Sequence, residues 1–553
     1  MAKEFNYGTE HLSIGICLDI ASGKVKGVIG DEAAARIRAS WLEVAKIVHA
    51  QKPVYGINTG FGPLCDTHIG EEDTSLLQSN LLKSHAVGVG KPIPLEIAKL
   101  MMICKVHALA QGYSGISPAT LDRIIWFIDN DIIPFVPEKG SVGASGDLAP
   151  LSHLFLPLIG WGGVFVNDKV IPAAQILKQH NLQPLTLGPK EGLALINGTQ
   201  FILAFAIKAV QRLDNALNLA DLVGAMSLEG LMGSARPFDE RIHAIRPFKG
   251  TKLVAHRLHT LLKDSEICNS HIDCDRVQDP YSLRCMPQVH GASRNAWLHL
   301  KELTEIELNS VTDNPIIFNA EDTISGGNFH GQPLALVLDY ATVAAAELGN
   351  IADRRCYLMS EGRYGLPKVL TNHPGLNSGL MIPQYTTAAL VTENKTLCFP
   401  ASADSVPTSL GQEDHVSMGS ISGRKLHQVI DNLEYIQAIE LLYAAQAMEF
   451  RRPLKSTPVI EACHSFVRES VAFIEEDRIF STDINELHQI ITNGSFLAIA
   501  GGAAQQHNIN LNNNDEFGIY REIRQAPGLQ STARDGTACQ KLANGSAAAH
   551  VAE

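Results

Sequence analysis

Paired cysteines, metal-ligand spacings, a basic excess and a membrane-length apolar run are all missing from this chain. Its ten cysteines form no CxxC pair and no finger-like pattern, which argues against a disulfide framework or a structural zinc site and for reduced thiols in a cytoplasm. The 21 histidines include no HExxH or similar spacing, so no metal is expected in the chemistry. Acidic residues outnumber basic ones and leave a net charge of −13. That balance disfavours nucleic acid and anionic membrane as partners, because phosphate binding wants a basic face. The most apolar run, His153 to Val166, is too short to span a bilayer and is broken by Pro157 and glycines. The N-terminal MAKEFNYGTEH has no apolar signal core. In a reducing compartment the sequons at Asn197, Asn493 and Asn544 carry no glycan.

What is present divides into three regimes. Up to about residue 200, short apolar runs alternate with Gly/Pro punctuation, as in 52–68 and 131–147. These read as loops and short strands among helices, with Leu95–Gln111 a buried helix ending at Gly112. From about Phe201, Ala/Leu-rich stretches with helical period take over at 201–232, 292–309, 334–361, 384–396 and 420–450. They are apolar on more than one face, as central helices of a bundle or an oligomer core are. After about Gly501 the chain turns Asn/Gln/Gly-rich and reads as a loosely attached tail. The expected organisation is residues 1–200 as a mixed domain, 201–500 as a helical bundle and 501–553 as a tail.

The most informative segment is 140–153, GSVGASGDLAPLSH. Small side chains leave the backbone of Ala144-Ser145-Gly146 unshielded, and glycine permits a tight turn. Such a turn would press the Gly146 nitrogen against the Ala144 carbonyl carbon. Attack there, with loss of one water from that carbonyl and one from the Ser145 side chain, gives a five-membered ring bearing an exocyclic methylidene. That product is an electrophile unlike any ordinary side chain. The same residues also read simply as a glycine-rich loop before a proline.

Six further clusters carry polar groups in unusual settings, each with a plainer reading beside it. Tyr55 in YGINTGFG is a base if its pKa falls, or a packed loop tyrosine. His85 in SHAVGVG is a ligand contact or a structural histidine. Asn197 in EGLALINGTQ is a substrate contact or a buried hydrogen-bond hub. In QDPYSLRC, Arg284 suits a carboxylate, with Gln278 and Tyr281 beside it; an ordinary ion pair is the alternative. Phe329 in SGGNFHG would wall a pocket. Glu413 in QEDHVSM is a site carboxylate or a helix cap.

All seven motifs occur in the order and approximate spacing of the MIO-dependent ammonia-lyases, where MIO is 4-methylidene-imidazol-5-one. The chain resembles the histidine branch of that family over roughly residues 10–500. The resemblance implies a mainly α fold, an elongated helical bundle with a smaller mixed N-terminal domain carrying the MIO loop, of the fumarase/aspartase-like type. It implies a homotetramer whose active sites each draw on three chains. It implies that MIO forms autocatalytically from Ala144, Ser145 and Gly146, with Asp147 assisting, and without a metal. Tyr55 would remove the β-proton, and Arg284 would hold the substrate carboxylate with Asn197, Tyr281 and Gln278 nearby. His85 and Glu413 would face an imidazole, and Phe329 would line the pocket. The products would be trans-urocanate and ammonia. The His85/Glu413 pair favours the histidine branch, because phenylalanine lyases carry an apolar residue and usually Gln at these places, and tyrosine lyases and aminomutases lack the glutamate.

Three rivals are weighed against this. Tyrosine or phenylalanine ammonia-lyase, or an aromatic 2,3-aminomutase, would share the fold and the ring. A Ser145 hydrolase fails because Gly143-Ala144-Ser145-Gly146 is not GxSxG. A catalytically silent scaffold conflicts with the intact triplet, Tyr55 and Arg284. Gly160–Gly163, Tyr364–Thr371 and the tail depart from the family pattern; the second of these would reshape the pocket mouth.

Overall fold

The computed structural model describes residues 3–50, 53–167 and 169–520. Long helices dominate it, and they fall where the apolar periodicity predicts. The helix α1, Leu95–Ala110, is buried on almost every side, lysines 99 and 105 included. The bundle is built on α2 (Gln200–Gly230), α3 (Met286–Leu308), α4 (Gln332–Ser360) and α5 (Gly419–Glu449). At 1.5 Å per residue, the 31-residue α2 is about 45 Å long. These helices lack a single apolar stripe because neighbours cover them from several directions.

Cross-links set their directions. The Phe205 carbonyl accepts from His427 Nε2 at 2.9 Å, the Ala216 carbonyl from Gln437 Nε2 at 2.7 Å, and the Gly230 carbonyl from Arg451. Low numbers meet low numbers, so α2 and α5 run parallel. The helix α4 runs with them, since Asp339 accepts from Ser422 and Glu440 accepts from Arg355. The helix α3 runs the other way: Glu307 reaches back to Thr199, and Trp297 Nε1 donates to Val210 O at 2.8 Å. The starts of α2, α4 and α5 therefore lie at one end of the bundle.

Short strands decorate that same end. Val89–Pro92 pairs antiparallel with Pro137–Lys139, which ties the segment after His85 to the chain just before the 140–147 loop. Ile133–Pro134, Gly163–Val166 and Lys169–Pro172 make a three-stranded antiparallel sheet. Lys3–Asn6 pairs parallel with Val25–Val28.

Two expectations change. The helix α4 meets the length and apolarity needed to cross a membrane, yet 67% of its most apolar window is buried among its neighbours, as befits a core helix. The stretch from 501 to 520 is not loose. Ser495–Gln506 is helical, Phe517 is buried and stacks on Trp297 at 6.2 Å, and Gly15 N–H donates to Ile519 O at 3.0 Å. Lys249 pairs with Glu516 at 2.7 Å. Two apolar anchors inside a polar stretch hold it down, a pattern that average composition hides. Residues 521–553 lie outside the described residues.

Candidate active site

The 140–147 loop is clamped from both sides. Met418 N–H donates to Val142 O at 2.9 Å, and the Ser420 hydroxyl donates to Ser141 O at 2.6 Å. The Ser417 hydroxyl donates to Gly143 O at 3.1 Å. Gly146 has φ +76°, and a Cβ there would strike the Gly198 carbonyl, so only glycine fits. Ala144 and Gly146 bridge each other across Ser145, and Gly146 bridges Gly198. Asp147 N–H donates to Gly198 O at 2.8 Å, and Gly198 N–H donates to Ser145 O at 3.4 Å. A turn that brings Ala144 and Gly146 together, held on a second backbone segment, is the geometry that ring closure needs. The residues present therefore fit an MIO group.

Asp147 is wholly buried. One carboxylate oxygen accepts the backbone N–H groups of Phe201 and Ile202 at 3.1 and 3.0 Å, which satisfies the first turn of α2 in place of an N-cap side chain. The other accepts the Ser141 hydroxyl at 2.9 Å. Burial raises its pKa to about 7 and outweighs the hydrogen bonds that pull it down.

Three long helices begin here. The first residues of α2 donate to the Asp147 carboxylate, α5 starts directly after Met418, and a Cβ on Gly331 at the head of α4 would lie 2.6 Å from Ile202 and 3.0 Å from Ser417. Their positive ends share one region and favour negative charge in it.

Glu413 occupies that region. Ser145 Oγ donates to Glu413 Oε1 at 2.7 Å. The hydroxyls of Thr408 and Ser409 donate to Oε2 at 2.8 and 2.9 Å, so the carboxylate is oriented over the triplet. The capping alternative fails, because Met418 precedes α5 with φ +56° and no side chain caps that helix. Tyr55 Oη accepts Gly62 N–H at 3.2 Å. Burial raises the Tyr55 pKa and the nearby Glu413 charge adds to it, while the Gly62 N–H opposes both. His85 Nδ1 lies 2.9 Å from Leu81 O; burial lowers its pKa, while that carbonyl and Glu413 raise it. Asn197 is buried, its Oδ1 has no hydrogen-bond partner among the described residues, and the next residue, Gly198, touches the triplet. Phe329 is half-buried beside His330, whose ring stacks on His415 at 5.4 Å.

One chain does not gather all the candidates. Asp279 accepts Ser234 N–H at 2.7 Å, which places Gln278, Tyr281 and Arg284 beyond the far end of α2, about 45 Å from Ser145. Tyr281 is 71% exposed; Arg284 Nε donates to Asp279 O at 2.9 Å, and its guanidinium lies 4.6 Å over the Tyr281 ring. Arg276 stacks on Tyr364 at 3.6 Å, so the unusual 364–371 segment borders this second group. No cluster of three or more potential metal ligands occurs among the described residues.

Lys105, Thr408 and Ser409 were not anticipated. The lysine sits in the apolar run LEIAKLMMICKVHALAQ, where a cation with apolar neighbours on all sides was the available signal. The two hydroxyl residues carry no local signal.

Comparison with known proteins identifies the family. The model of the family described as aromatic amino acid lyase matches residues 12–469. The histidine ammonia-lyase of Myxococcus xanthus is 46% identical over 488 residues, covering 88% of this chain and 96% of that protein. The crystal structure of histidine ammonia-lyase from Trypanosoma cruzi superposes with a TM-score of 0.86 at 39% identity, over 96% of this chain and 100% of that one. Tyrosine aminomutase from Streptomyces globisporus superposes equally well, with a TM-score of 0.86 at 33% identity over 91% and 99% of the two chains. The chain belongs to the aromatic amino acid lyase family and is a carbon–nitrogen lyase.

Proposed function

We propose that this enzyme eliminates ammonia from L-histidine to give trans-urocanate, using an MIO ring that Ala144, Ser145 and Gly146 form without outside help. The observation that carries the reading is the Glu413 carboxylate held 2.7 Å from Ser145 Oγ. It stands over the reacting group with His85 in electrostatic range, where an imidazole N–H would meet it. A carboxylate is a strong acceptor for that donor and offers a phenyl ring nothing comparable.

The ring supplies an electrophile that takes up the substrate amine and makes it a better leaving group. The chain's own residues do the rest. Tyr55 removes the β-proton. Its raised pKa inside one chain calls for cations and helix termini to favour the tyrosinate. Asn197 offers its unpartnered amide oxygen to the substrate. Phe329 walls the pocket. Asp147, with its pKa near 7, exchanges protons during ring closure.

Arg284 binds the substrate carboxylate, with Tyr281 and Gln278 beside it. Since they lie at the far end of α2, they act in the site of another copy. The homotetramer with composite sites that the family resemblance implies would supply that copy. The exposed stripe Leu336, Tyr340 and Val343 on α4 supports such packing. A cytoplasmic setting belongs to the same reading, and free thiols at the nine described cysteines fit it.

The likeness to a tyrosine aminomutase keeps one rival in view. Incubation with histidine, tyrosine and phenylalanine separates them. Ammonia with urocanate from histidine, at a kcat/KM at least about a hundredfold above the other two, supports the proposal. Selective turnover of tyrosine or phenylalanine, or a β-amino acid without ammonia, would overturn it.

A further inference from the structure

Lys105 has no part in the reading above, yet its placement is unusual. It lies in the middle of α1, 1% exposed. Its ammonium donates to the backbone carbonyl of Asn197 and reaches Gln200 Oε1 at 3.5 Å. The nearest acids, Asp147 and Asp313, act on it only through space, and Asp313 is taken by Lys190 at 2.8 Å. A buried cation without a bonded carboxylate is expensive to maintain, and burial lowers its pKa to about 7.

The carbonyl it grips belongs to the Asn197–Gly198 peptide. The other side of that peptide is the Gly198 N–H, which donates to Ser145 O at 3.4 Å, a long contact in the uncyclised chain. The two bonds form a relay from ammonium to carbonyl to N–H to the Ser145 oxygen. A cation on an amide oxygen polarises the amide and strengthens its N–H as a donor.

We propose that Lys105 is a positioning residue that orients and polarises the Asn197–Gly198 peptide, so that the Gly198 N–H stabilises charge on the Ser145 carbonyl oxygen. The inference rests on the reading that residues 144–146 condense into a ring. In that ring the methylidene carbon is Ser145 Cβ, conjugated with the Ser145 carbonyl. When a nucleophile adds, a bond forms at Cβ, the Cα–Cβ π pair moves into the ring, and negative charge falls on the Ser145 oxygen. With hydride from borohydride as the nucleophile, water then returns a proton. A donor fixed on that oxygen speeds the addition.

The test uses the full-length enzyme and reads hydride trapping rather than turnover alone. Wild type, Lys105→Met and Lys105→Arg are compared for helical circular dichroism, for the two-water mass deficit of the 140–153 peptide, and for the rate of inactivation by borohydride. The expected Lys105→Met protein is folded and carries the full deficit. It traps hydride about tenfold more slowly than wild type, with kcat lowered in step and KM nearly unchanged. Lys105→Arg keeps the cation and stays within about threefold of wild type. If Lys105→Met does not fold, Lys105→Gln takes its place. Trapping at the wild-type rate in a folded uncharged variant overturns the proposal, as does equal slowing in Met and Arg. A folded variant with an unmodified triplet also overturns it, because the relay acts after closure. Loss of fold in both uncharged variants makes Lys105 a structural cation and overturns it too. A wild-type enzyme without the deficit instead refutes the ring.

Discussion

In the proposed reaction, Glu413 is the residue on which substrate choice turns. Thr408 and Ser409 hold one of its oxygens, and the other faces Ser145, whose hydroxyl would leave on ring closure and free that oxygen for the substrate. Replacing it by glutamine keeps the shape and removes the charge. A charge-assisted hydrogen bond contributes about 1.5–3 kcal/mol, so Glu413→Gln should lower kcat/KM for histidine by roughly 10- to 100-fold. The residual turnover of phenylalanine should change by less than about threefold, since its ring makes no such bond. Steady-state kinetics with both amino acids measure this, and equal losses would remove Glu413 from imidazole recognition.

The helices were legible because each repeats one instruction many times. Apolar residues at helical spacing over 201–232, 334–361 and 420–450 leave little choice, and the observed helices begin and end within three residues of those limits. The triplet was legible for the opposite reason: three adjacent small residues can do one unusual thing. The convergence of α2, α4 and α5 on it was not legible, because helix direction depends on packing between residues 83 and 222 positions apart. Lys105 illustrates the same limit. Its sequence neighbours say only that it is buried; its partner, the Asn197 carbonyl, lies 92 residues away. The docked segment 501–520 departs from its sequence reading because two apolar residues decide its fate while the average composition is polar.

At the scale of the whole molecule, the proposed site has two halves that one chain cannot bring together. Ser145 and Arg284 stand near opposite ends of a rigid helix about 45 Å long, and no loop motion closes that gap. Two inactive variants, Tyr55→Phe and Arg284→Met, should therefore complement each other. Refolded or co-expressed in equal amounts, they should recover about a quarter of wild-type activity, the share of sites that draw each residue from an intact chain under random mixing. Mixed oligomers with no recovery would place both residues of each site in one chain.

All of the proposed chemistry depends on Ala144, Ser145 and Gly146 becoming a ring. High-resolution mass spectrometry of the proteolytic peptide spanning residues 140–153, from freshly purified enzyme, tests it most directly. The expected mass lies below that of the encoded peptide by two waters. A peptide at its full encoded mass, from enzyme that nonetheless releases ammonia, would contradict it.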